Sequence, residues 1–233
     1  ALPGFFVSIF AVRNDSLMHK LPEVLLPLAC LPDVEYFVWL SNTSQARLEI
    51  HETYPKQTCR TRYRIASAEG TLQLSVPVIR QDGNHTPTNR VLLAGTDWNR
   101  IHWRAIESAY NKSPFFLYYK DDFEAIFSAP PSLLMEFNLK LLKLCCSLSG
   151  IKTSLNLTLN YEKQPANCPD LRQKFMPKHP VNQKEYIKHF KPYIQVFSDR
   201  NPFIPNLSIL DVLFNLGPGT ADYLRQHELT ESS

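Results

Sequence analysis

The stretch that decides the fold class runs over residues 24–50 and reads VLLPLACLPDVEYFVWLSNTSQARLEI. Its first seven residues form an apolar run typical of a buried strand, with one proline that removes a ladder hydrogen bond. The Pro32-Asp33 pair then interrupts the chain, and residues 34–40 predict a short apolar helix. A polar loop leads to a second strand at about residues 46–50. A strand, a helix and a strand in succession indicate an α/β fold.

The chain repeats this alternation further on. Residues 98–111 predict a helix that begins after Thr96-Asp97, and the Pro130-Pro131 pair opens a longer helix that ends at Gly150. Residues 151–160 alternate between apolar and polar side chains, which is typical of a strand with one polar face. We therefore expect an α/β fold with a mixed sheet and helices packed on it, in a single domain.

The domain is expected to span residues 23–219. Residues 1–22 are expected to form an N-terminal extension that need not belong to the core. Residues 220–233 follow a Gly-Pro pair and end in a polar run, so they are expected to form a frayed tail. No repeat and no linker divides the central part.

The composition narrows the classes of function. The 233 residues carry a formal net charge of +3 and are 44% hydrophobic, as in an ordinary globular protein. The chain has 18 prolines and only 7 glycines, and no glycine-rich dinucleotide or P-loop motif can be drawn through them. Any phosphate must therefore be held by side-chain cations or helix N-termini.

Several partners and cofactors find no support in the sequence. No dense basic run with interleaved aromatic residues points to nucleic acid, and no Cys or His spacing predicts a metal site. No segment is long and apolar enough to predict a membrane span, and no motif identifies a cofactor. The five cysteines include an adjacent pair in a Leu-rich helix, which favours reduced thiols and a cytoplasmic location.

Alternating cations mark residues 56–65 as a candidate anion site. On a strand, residues spaced by two project from one face, and guanidinium groups bind phosphate or carboxylate bidentately. The alternative is a solvated strand face, although the next strand of the predicted hairpin offers no acid at the matching positions, Gln73 and Ser75. The candidate anion-binding residues are Lys56, Arg60, Arg62 and Arg64.

A second candidate site lies on the apolar helix predicted for residues 208–216. Ser208, Asp211 and Asn215 fall on one stripe of that helix, where buried polar groups need partners. In one interpretation Ser208 caps the helix, Asp211 completes the cap and Asn215 binds nearby backbone. In the other, Ser208 and Asn215 line a polar pocket and Asp211 is catalytic, so that Asp211→Ala would impair function more than folding.

Two further features are candidates for the site. His102 lies on or near the packed face of the helix at residues 98–111, where a histidine is either structural or a catalytic acid or base. The proline-rich stretch of residues 164–180 has no periodicity, and a loop of that length suggests a functional loop or lid.

Three runs of residues resemble the WbqC-like protein family of bacteria. They read ETYPKQTCRTR at 52–62, IHWRAIESAY with SPFF at 101–116, and FIPNLSILD with FN and GP at 203–218. The resemblance covers about residues 24–218. One loop departs from the family pattern, because relatives tend to have an aromatic residue and Phe-Pro-Pro where this chain has Cys30-Leu31-Pro32-Asp33.

The resemblance implies a bacterial cytoplasmic protein, in many cases encoded among genes for O-antigen or other surface polysaccharides. It does not supply the reaction. Our leading hypothesis is a transferase acting on a nucleotide-activated or lipid-linked sugar, with the arginines holding phosphate and Asp211 or His102 as acid or base. The alternative is a non-catalytic protein that binds a sugar or phosphate-bearing ligand in the same cationic pocket.

Overall fold

The computed structural model describes residues 20–165, 168–176, 190–227 and 229. Short 3-10 turns occupy residues 83–85, 88–90 and 217–219. In chain order the strands and helices are β1 (Leu21–Pro27), α1 (Val34–Ser41), β2 (Thr43–Glu49), β3 (Arg62–Ser67), β4 (Gly70–Ser75), β5 (Val78–Ile79), β6 (Leu92–Leu93), α2 (Trp98–Tyr110), α3 (Phe116–Ser128), α4 (Leu134–Leu148), β7 (Ser154–Leu157), α5 (Ile209–Leu216) and α6 (Thr220–Arg225).

A parallel sheet in the order β1-β2-β7 forms the centre of the fold. It contains the strand, helix and strand predicted from residues 24–50, with β2 beginning three residues earlier than expected, at Thr43. Of the two prolines in β1, Pro22 is the second residue and Pro27 is the last, so both lie near the ends of the strand, where a missing donor costs least. On the outer side of β1, backbone hydrogen bonds join Leu25 to Pro169 and Leu171, at 3.0 and 2.9 Å.

Two antiparallel hairpins, β3-β4 and β5-β6, lie outside the parallel sheet. The α/β class and the single domain are therefore confirmed, with parallel and antiparallel pairs in separate sheets. In the β3-β4 hairpin Arg62 lies opposite Ser75 and Arg64 opposite Gln73, as the sequence predicts. The strand begins at Arg62, however, because a backbone hydrogen bond from Thr61 to Thr58 makes a turn just before it.

Helix α5 is the centre of the hydrophobic core. Residues 209–215 are all buried, as expected for a helix that is apolar nearly all round. It contacts α1, α3, α4, α6 and β3. The Phe214 ring packs against Tyr110 of α2 and against Phe116 and Phe123 of α3, with centroids 5.1 to 5.5 Å apart.

A glycine is required directly after α5. Gly217 has φ +52°, and a Cβ at this position would overlap the ring of Phe115. The amide of Phe115 also donates to the carbonyl of Phe214 at 3.0 Å. Two of the sequence runs that carry the family resemblance are thus in direct contact, and the pair fixes how α5 meets the start of α3.

The two ends of the chain differ from the expected boundaries. Strand β1 begins at Leu21, inside the expected N-terminal extension, whose residues 1–19 lie outside the described part. The expected frayed tail begins instead with helix α6, which buries Tyr223 and Leu224. The apolar pair gives α6 a face to pack on the core, so this part of the tail is ordered. Residues 228 and 230–233 lie outside the described residues.

Candidate functional site

The N-termini of α1 and α5 lie side by side at one edge of the fold. The amide of Val34 donates to the Leu207 carbonyl at 3.0 Å, and the amide of Ile209 donates to the Pro32 carbonyl at 2.9 Å. Each helix has its own side-chain cap, a carboxylate in α1 and a hydroxyl in α5. The N-terminal, electropositive ends of two helices therefore converge at this edge.

A cavity of about 400 Å³ opens beside these two N-termini. This volume is within the usual range for a small-molecule site. The wall combines β3, the loop before α1, the first turn of α1 and residues from two later segments of the chain. Its ionisable residues include Asp33, Glu35, Cys59, Arg62, Arg64 and Lys174. Tyr36 and Tyr63 also line it, but their hydroxyls make buried contacts with the Pro27 carbonyl and with His102.

Arg62 and Arg64 are the two predicted anion-binding residues that line this cavity. They occupy alternate positions of β3, so both side chains leave the same face of the strand. Arg62 is half-buried and Arg64 is exposed. Neither forms an ion pair with a described residue, and Arg64 donates to the carbonyl of Asn206 at 3.1 Å. Their charges are thus available to an anion in the cavity.

Arg60 and Lys56, which were predicted to join that row, lie elsewhere. Arg60 is fully buried and forms an ion pair with Glu52, while one guanidinium nitrogen donates to the Thr58 hydroxyl at 2.8 Å. Burial lowers the pKa of Arg60 to about 10. Lys56 is exposed in a bend before the strand. The predicted alternation does not extend to Arg60 and Lys56, because the turn before β3 breaks the period of two. Neither residue lines the cavity.

The stripe on α5 divides between the cavity and the core. Ser208 lines the cavity and its hydroxyl caps α5, accepting from the Leu210 amide at 3.4 Å. Asn215 donates to the backbone carbonyl of Asp211 at 2.7 Å and does not line the cavity. For Ser208 and Asn215, the structure has the contacts expected from the capping interpretation.

Asp211, predicted as catalytic, is a fully buried carboxylate. It accepts hydrogen bonds from the Tyr193 hydroxyl at 2.5 Å and the Gln195 amide at 2.8 Å. Burial raises its pKa, while the hydrogen bonds from Tyr193, Gln195 and Tyr110 oppose that shift. Asp211 therefore fastens the segment around residues 193–195 to α5 and lies outside the cavity lining.

Gln195 extends this connection toward the cavity. Its amide nitrogen donates to the Ile204 carbonyl at 3.0 Å, and its amide oxygen accepts from the Ile204 backbone N–H at 2.9 Å. Two residues later, the side-chain oxygen of Asn206 accepts from the Glu35 amide at 2.9 Å, in the first turn of α1. Asp211 thus acts on the cavity at a distance, by holding the segment that carries Asn206.

His102, the other predicted acid or base, belongs to the core. Its Nδ1 lies 2.9 Å from the Tyr63 hydroxyl, and its ring packs edge-on against Trp98 and Tyr63. Burial lowers its pKa to about 4, so the ring stays neutral near neutral pH. The contacts of His102 are those expected from its structural interpretation, and the residue does not line the cavity.

Asp33 is the acid that the sequence interpretation missed. It is the N-cap of α1, where its Oδ1 accepts from the Tyr36 amide at 3.1 Å. Burial and then the nearby Glu35 raise its pKa to about 6, against the lowering effects of the Tyr36 amide, Arg64 and Lys174. Asp33 also belongs to the loop in which the chain departs from the family pattern. That departure lies in the wall of the cavity.

Lys174 and Phe175 enter the cavity wall from residues 168–176, here called the strap. Lys174 forms an ion pair with Glu35 at 2.7 Å, and the Phe175 ring meets Tyr36 edge-on with centroids 5.0 Å apart. The long loop predicted for residues 164–180 therefore contributes to the site. Its length was the signal for that contribution, while nothing in its sequence singled out Lys174. Residues 166–167 and 177–180 of it lie outside the described residues.

Buried charges anchor the strap behind the cavity. Arg172 forms ion pairs with Glu49, at the end of β2, at 3.3 Å and with Asp170 at 2.6 Å. Both Glu49 and Arg172 are almost completely buried. A buried pair of this kind holds geometry well, because losing one partner leaves an uncompensated charge.

The backbone around the cavity contains two non-glycine residues in the left-handed region. Leu31 has φ +40° and Asn206 has φ +53°, and both line the cavity. Asparagine tolerates this conformation, whereas a leucine in it is strained and must be held by its surroundings. Leu31 is almost completely buried, so packing holds the turn.

Two other features of the described residues limit the chemistry. Cys59 is the cysteine in the cavity wall, and burial raises its pKa to about 12, which keeps it a thiol near neutral pH. No three His, Cys, Asp or Glu side chains within the described ranges come together as ligands for a metal ion. Within the same ranges, no helix has the length and apolar character needed to cross a membrane.

Comparison with known proteins identifies the family to which this chain is similar and a relative. The model of the WbqC-like protein family matches residues 29–179, which is more than half of the chain. The chain is also similar to the uncharacterized protein Rv1507c of Mycobacterium tuberculosis (strain ATCC 25618 / H37Rv), with 29% identity over 196 residues. That similarity covers 74% of this chain and 84% of the relative. No solved structure gives a significant match.

Proposed function

Because the chain belongs to the WbqC-like protein family, we propose that it is a cytoplasmic transferase of bacterial surface-polysaccharide biosynthesis. Its substrate in this proposal is a nucleotide-activated or lipid-linked sugar, and the site is the cavity beside α1 and α5. One observation carries the proposal: Arg62 and Arg64, at alternate positions of β3, both line that cavity without an ion-pair partner among the described residues.

Phosphate is the ligand group that fits this wall best. Two adjacent guanidinium groups can bind the oxygens of a phosphate bidentately, and the N-termini of two helices favour a negative charge beside them. Both substrate types share a sugar 1-phosphate, which a cavity of about 400 Å³ can hold. The remainder of a nucleotide or lipid carrier would extend from the cavity toward solvent past the exposed Arg64.

Asp33 replaces Asp211 and His102 as the candidate acid or base. It lines the cavity, whereas those two are enclosed in the core. Its pKa of about 6 suits a group that exchanges a proton near neutral pH. In the proposed reaction an acceptor hydroxyl attacks the anomeric carbon of the sugar, and the bond from that carbon to the phosphate oxygen breaks. The carboxylate of Asp33 takes the hydroxyl proton, while Arg62 and Arg64 hold the departing phosphate.

A second candidate function is non-catalytic binding of the same ligand. It is favoured by the Cys59 thiol, because the cysteine in the wall is held protonated and is a poor nucleophile. It is also favoured by Asp33, which the structure already uses as a helix cap. Both candidates require the two arginines, so ligand binding is tested first, and turnover is then tested to distinguish the two candidates.

The experiment screens sugar 1-phosphates and nucleotide sugars by thermal shift, followed by product analysis of every stabilising compound with acceptor sugars. A ligand of the native state raises the melting temperature by an amount that grows with the ratio of its concentration to its Kd. The matched control for R62A and R64A is R104A, because Arg104 is exposed on α2 and does not line the cavity. Stabilisation with a transfer product supports the transferase, and stabilisation without one supports the binder. Equal stabilisation of R62A, R64A and R104A contradicts both.

A further inference from the structure

We propose that the ligand of this cavity carries a protonated amino group as well as its phosphate, which makes it an amino-sugar phosphate. The inference rests on the proposed function, since it takes Arg62 and Arg64 as the phosphate site. It adds the chemical class of the sugar, which the surroundings of Asp33 select.

The cavity wall carries charges of both signs. Arg62 and Arg64 stand on β3, while Asp33 and Glu35 stand at the start of α1. A site for phosphate alone gains nothing from carboxylates in its wall, because like charges repel and the wall is partly desolvated. Cations on β3 together with carboxylates at the start of α1 instead match a ligand with a charge of each sign.

Asp33 has room to accept another hydrogen bond. Its Oδ1 accepts from the Tyr36 amide at 3.1 Å, and its Oδ2 is 3.5 Å from the Asn206 side-chain nitrogen. The second distance is at the outer limit of a hydrogen bond. An ionised carboxylate can accept about four hydrogen bonds. An ammonium group in the cavity can therefore add a short, charge-assisted bond to Oδ2.

Glu35 contributes less to an incoming amine, because Lys174 of the strap is already paired with it at 2.7 Å. The groups that act electrostatically on Asp33 come from three elements: Glu35 from α1, Arg64 from β3 and Lys174 from the strap. An ammonium group beside Asp33 would offset the repulsion that the negative charge of Glu35 exerts on the ionised Asp33 carboxylate.

The net charge of the cavity wall also favours a ligand that carries both a phosphate and an amino group. Arg62, Arg64 and Lys174 set against Asp33 and Glu35 leave one positive charge when all five are ionised. A phosphate monoester carries roughly −1.5 to −2 near neutral pH. A protonated amine reduces that to about −1 or less in magnitude, which complements the wall. A sugar phosphate without the amine adds its full charge next to Asp33 and must drive a proton onto that carboxylate.

The test is a calorimetric titration at about pH 7 with three probes in both the gluco and the galacto series: the amino-sugar 1-phosphate, its N-acetyl form and the plain sugar 1-phosphate. We expect the free amine to bind at least about tenfold more tightly than the other two, as a charge-assisted hydrogen bond predicts. Repeating the titrations in buffers of different ionisation enthalpy should show proton uptake for the plain sugar phosphate and little for the amine.

The control variant is D33N, which keeps an N-cap side chain because asparagine caps helices as well as aspartate does. In D33N the preference for the amine should disappear, and the plain sugar phosphate should bind at least as tightly as it does to the wild type and without proton uptake, because the carboxylate that had to be protonated is gone. Equal affinities of wild-type protein for all three probes would overturn the amine inference and leave the proposed function intact. If no probe binds, the proposed function fails together with the inference.

Discussion

Asp33 and Ser208 face each other across an antiparallel backbone bridge, and each is the N-cap of its helix. The residue before α1 and the residue before α5 are therefore held together by backbone hydrogen bonds, although they are far apart in the sequence. The amide of Ser208 also donates to the carbonyl of Arg64 at 2.8 Å, which adds β3 to the junction. The most buried helix of the fold and the wall of the cavity thus share the same few residues.

We expect Gly217→Ala to destabilise the protein more than Gly83→Ala does. Both glycines have positive φ, at +52° and +58°, so each alanine variant incurs backbone strain of about 1–3 kcal/mol. The new Cβ has open space at Gly83, whereas at Gly217 it overlaps the Phe115 ring, and overpacking adds about 1–3 kcal/mol. Urea unfolding of both variants measures the difference. Equal losses would show that α3 moves away from α5 at no cost.

We expect Arg60→Ala to unfold or severely destabilise the chain, with a loss of about 3–5 kcal/mol. The variant leaves the Glu52 carboxylate without its buried partner. R62A and R64A should lie within about 0.5 kcal/mol of the wild type, because those side chains have no ion-pair partner among the described residues. Comparison of the three variants by urea denaturation tests the separation of Arg60 from the other two. Similar stability of R60A and R62A would contradict it.

We expect Asp211→Ala to impair folding, opposite to what its catalytic interpretation predicts. The variant leaves the Tyr193 hydroxyl and the Gln195 amide without their buried acceptor, at a cost of about 1–3 kcal/mol for each donor. Asp211→Asn keeps one acceptor oxygen and removes a buried charge, so it should be nearer to the wild type. Melting temperatures of the two variants provide the test. A D211A protein with wild-type stability and no function would restore the catalytic role.

We expect Asp33→Asn to be more stable than the wild type at neutral pH by about 1–2 kcal/mol. Folding raises the pKa of Asp33 from 3.8 to about 6. As the pH rises from about 4 to about 6, the unfolded chain loses this proton first, so the wild type loses stability over that window. The D33N variant has no carboxyl group to ionise at this position, so it does not lose stability over that window. Urea unfolding at several pH values measures the difference, which should grow with pH and then level off. A difference that does not change with pH would show that the carboxylate ionises freely.

The sequence could predict features that depend on a regular period. The alternation of residues along the β3-β4 hairpin placed Arg62 and Arg64 on one face and opposite Gln73 and Ser75, as the structure confirms. The same alternation failed for Arg60, because a turn that only the tertiary structure makes visible precedes the strand.

Helix α3 was not predicted, although its buried residues Phe116, Phe123 and Phe127 follow a helical spacing. The Ser113-Pro114 pair lies directly before it and indicates only the end of α2. No side chain caps the N-terminus of α3, so the sequence lacks the usual signal for the start of a new helix.

Contacts between distant segments could not be predicted in the same way. The stripe on α5 was visible, but the partners of Asp211 come from residues 193 and 195, where no pattern points to a helix face. The strap was visible as a long loop, but its pairing of Lys174 with Glu35 depends on how it crosses α1. In the sequence, Asp33 indicated only an interruption before α1, and the structure makes it the N-cap of that helix. Asp33 lines the cavity because the N-termini of α1 and α5 lie side by side, which the sequence could not show.

The most direct test of the central claim is a calorimetric titration of glucose 1-phosphate and glucosamine 1-phosphate into wild-type protein, the double variant R62A/R64A and the exposed control R104A. Loss of two charge-assisted contacts should weaken binding of at least one of these ligands by about a hundredfold in R62A/R64A and leave R104A unchanged. The wild-type affinity should fall as salt is added, since the cavity is partly open to solvent. Wild-type affinity in a folded R62A/R64A protein would contradict the claim that these two arginines hold the phosphate.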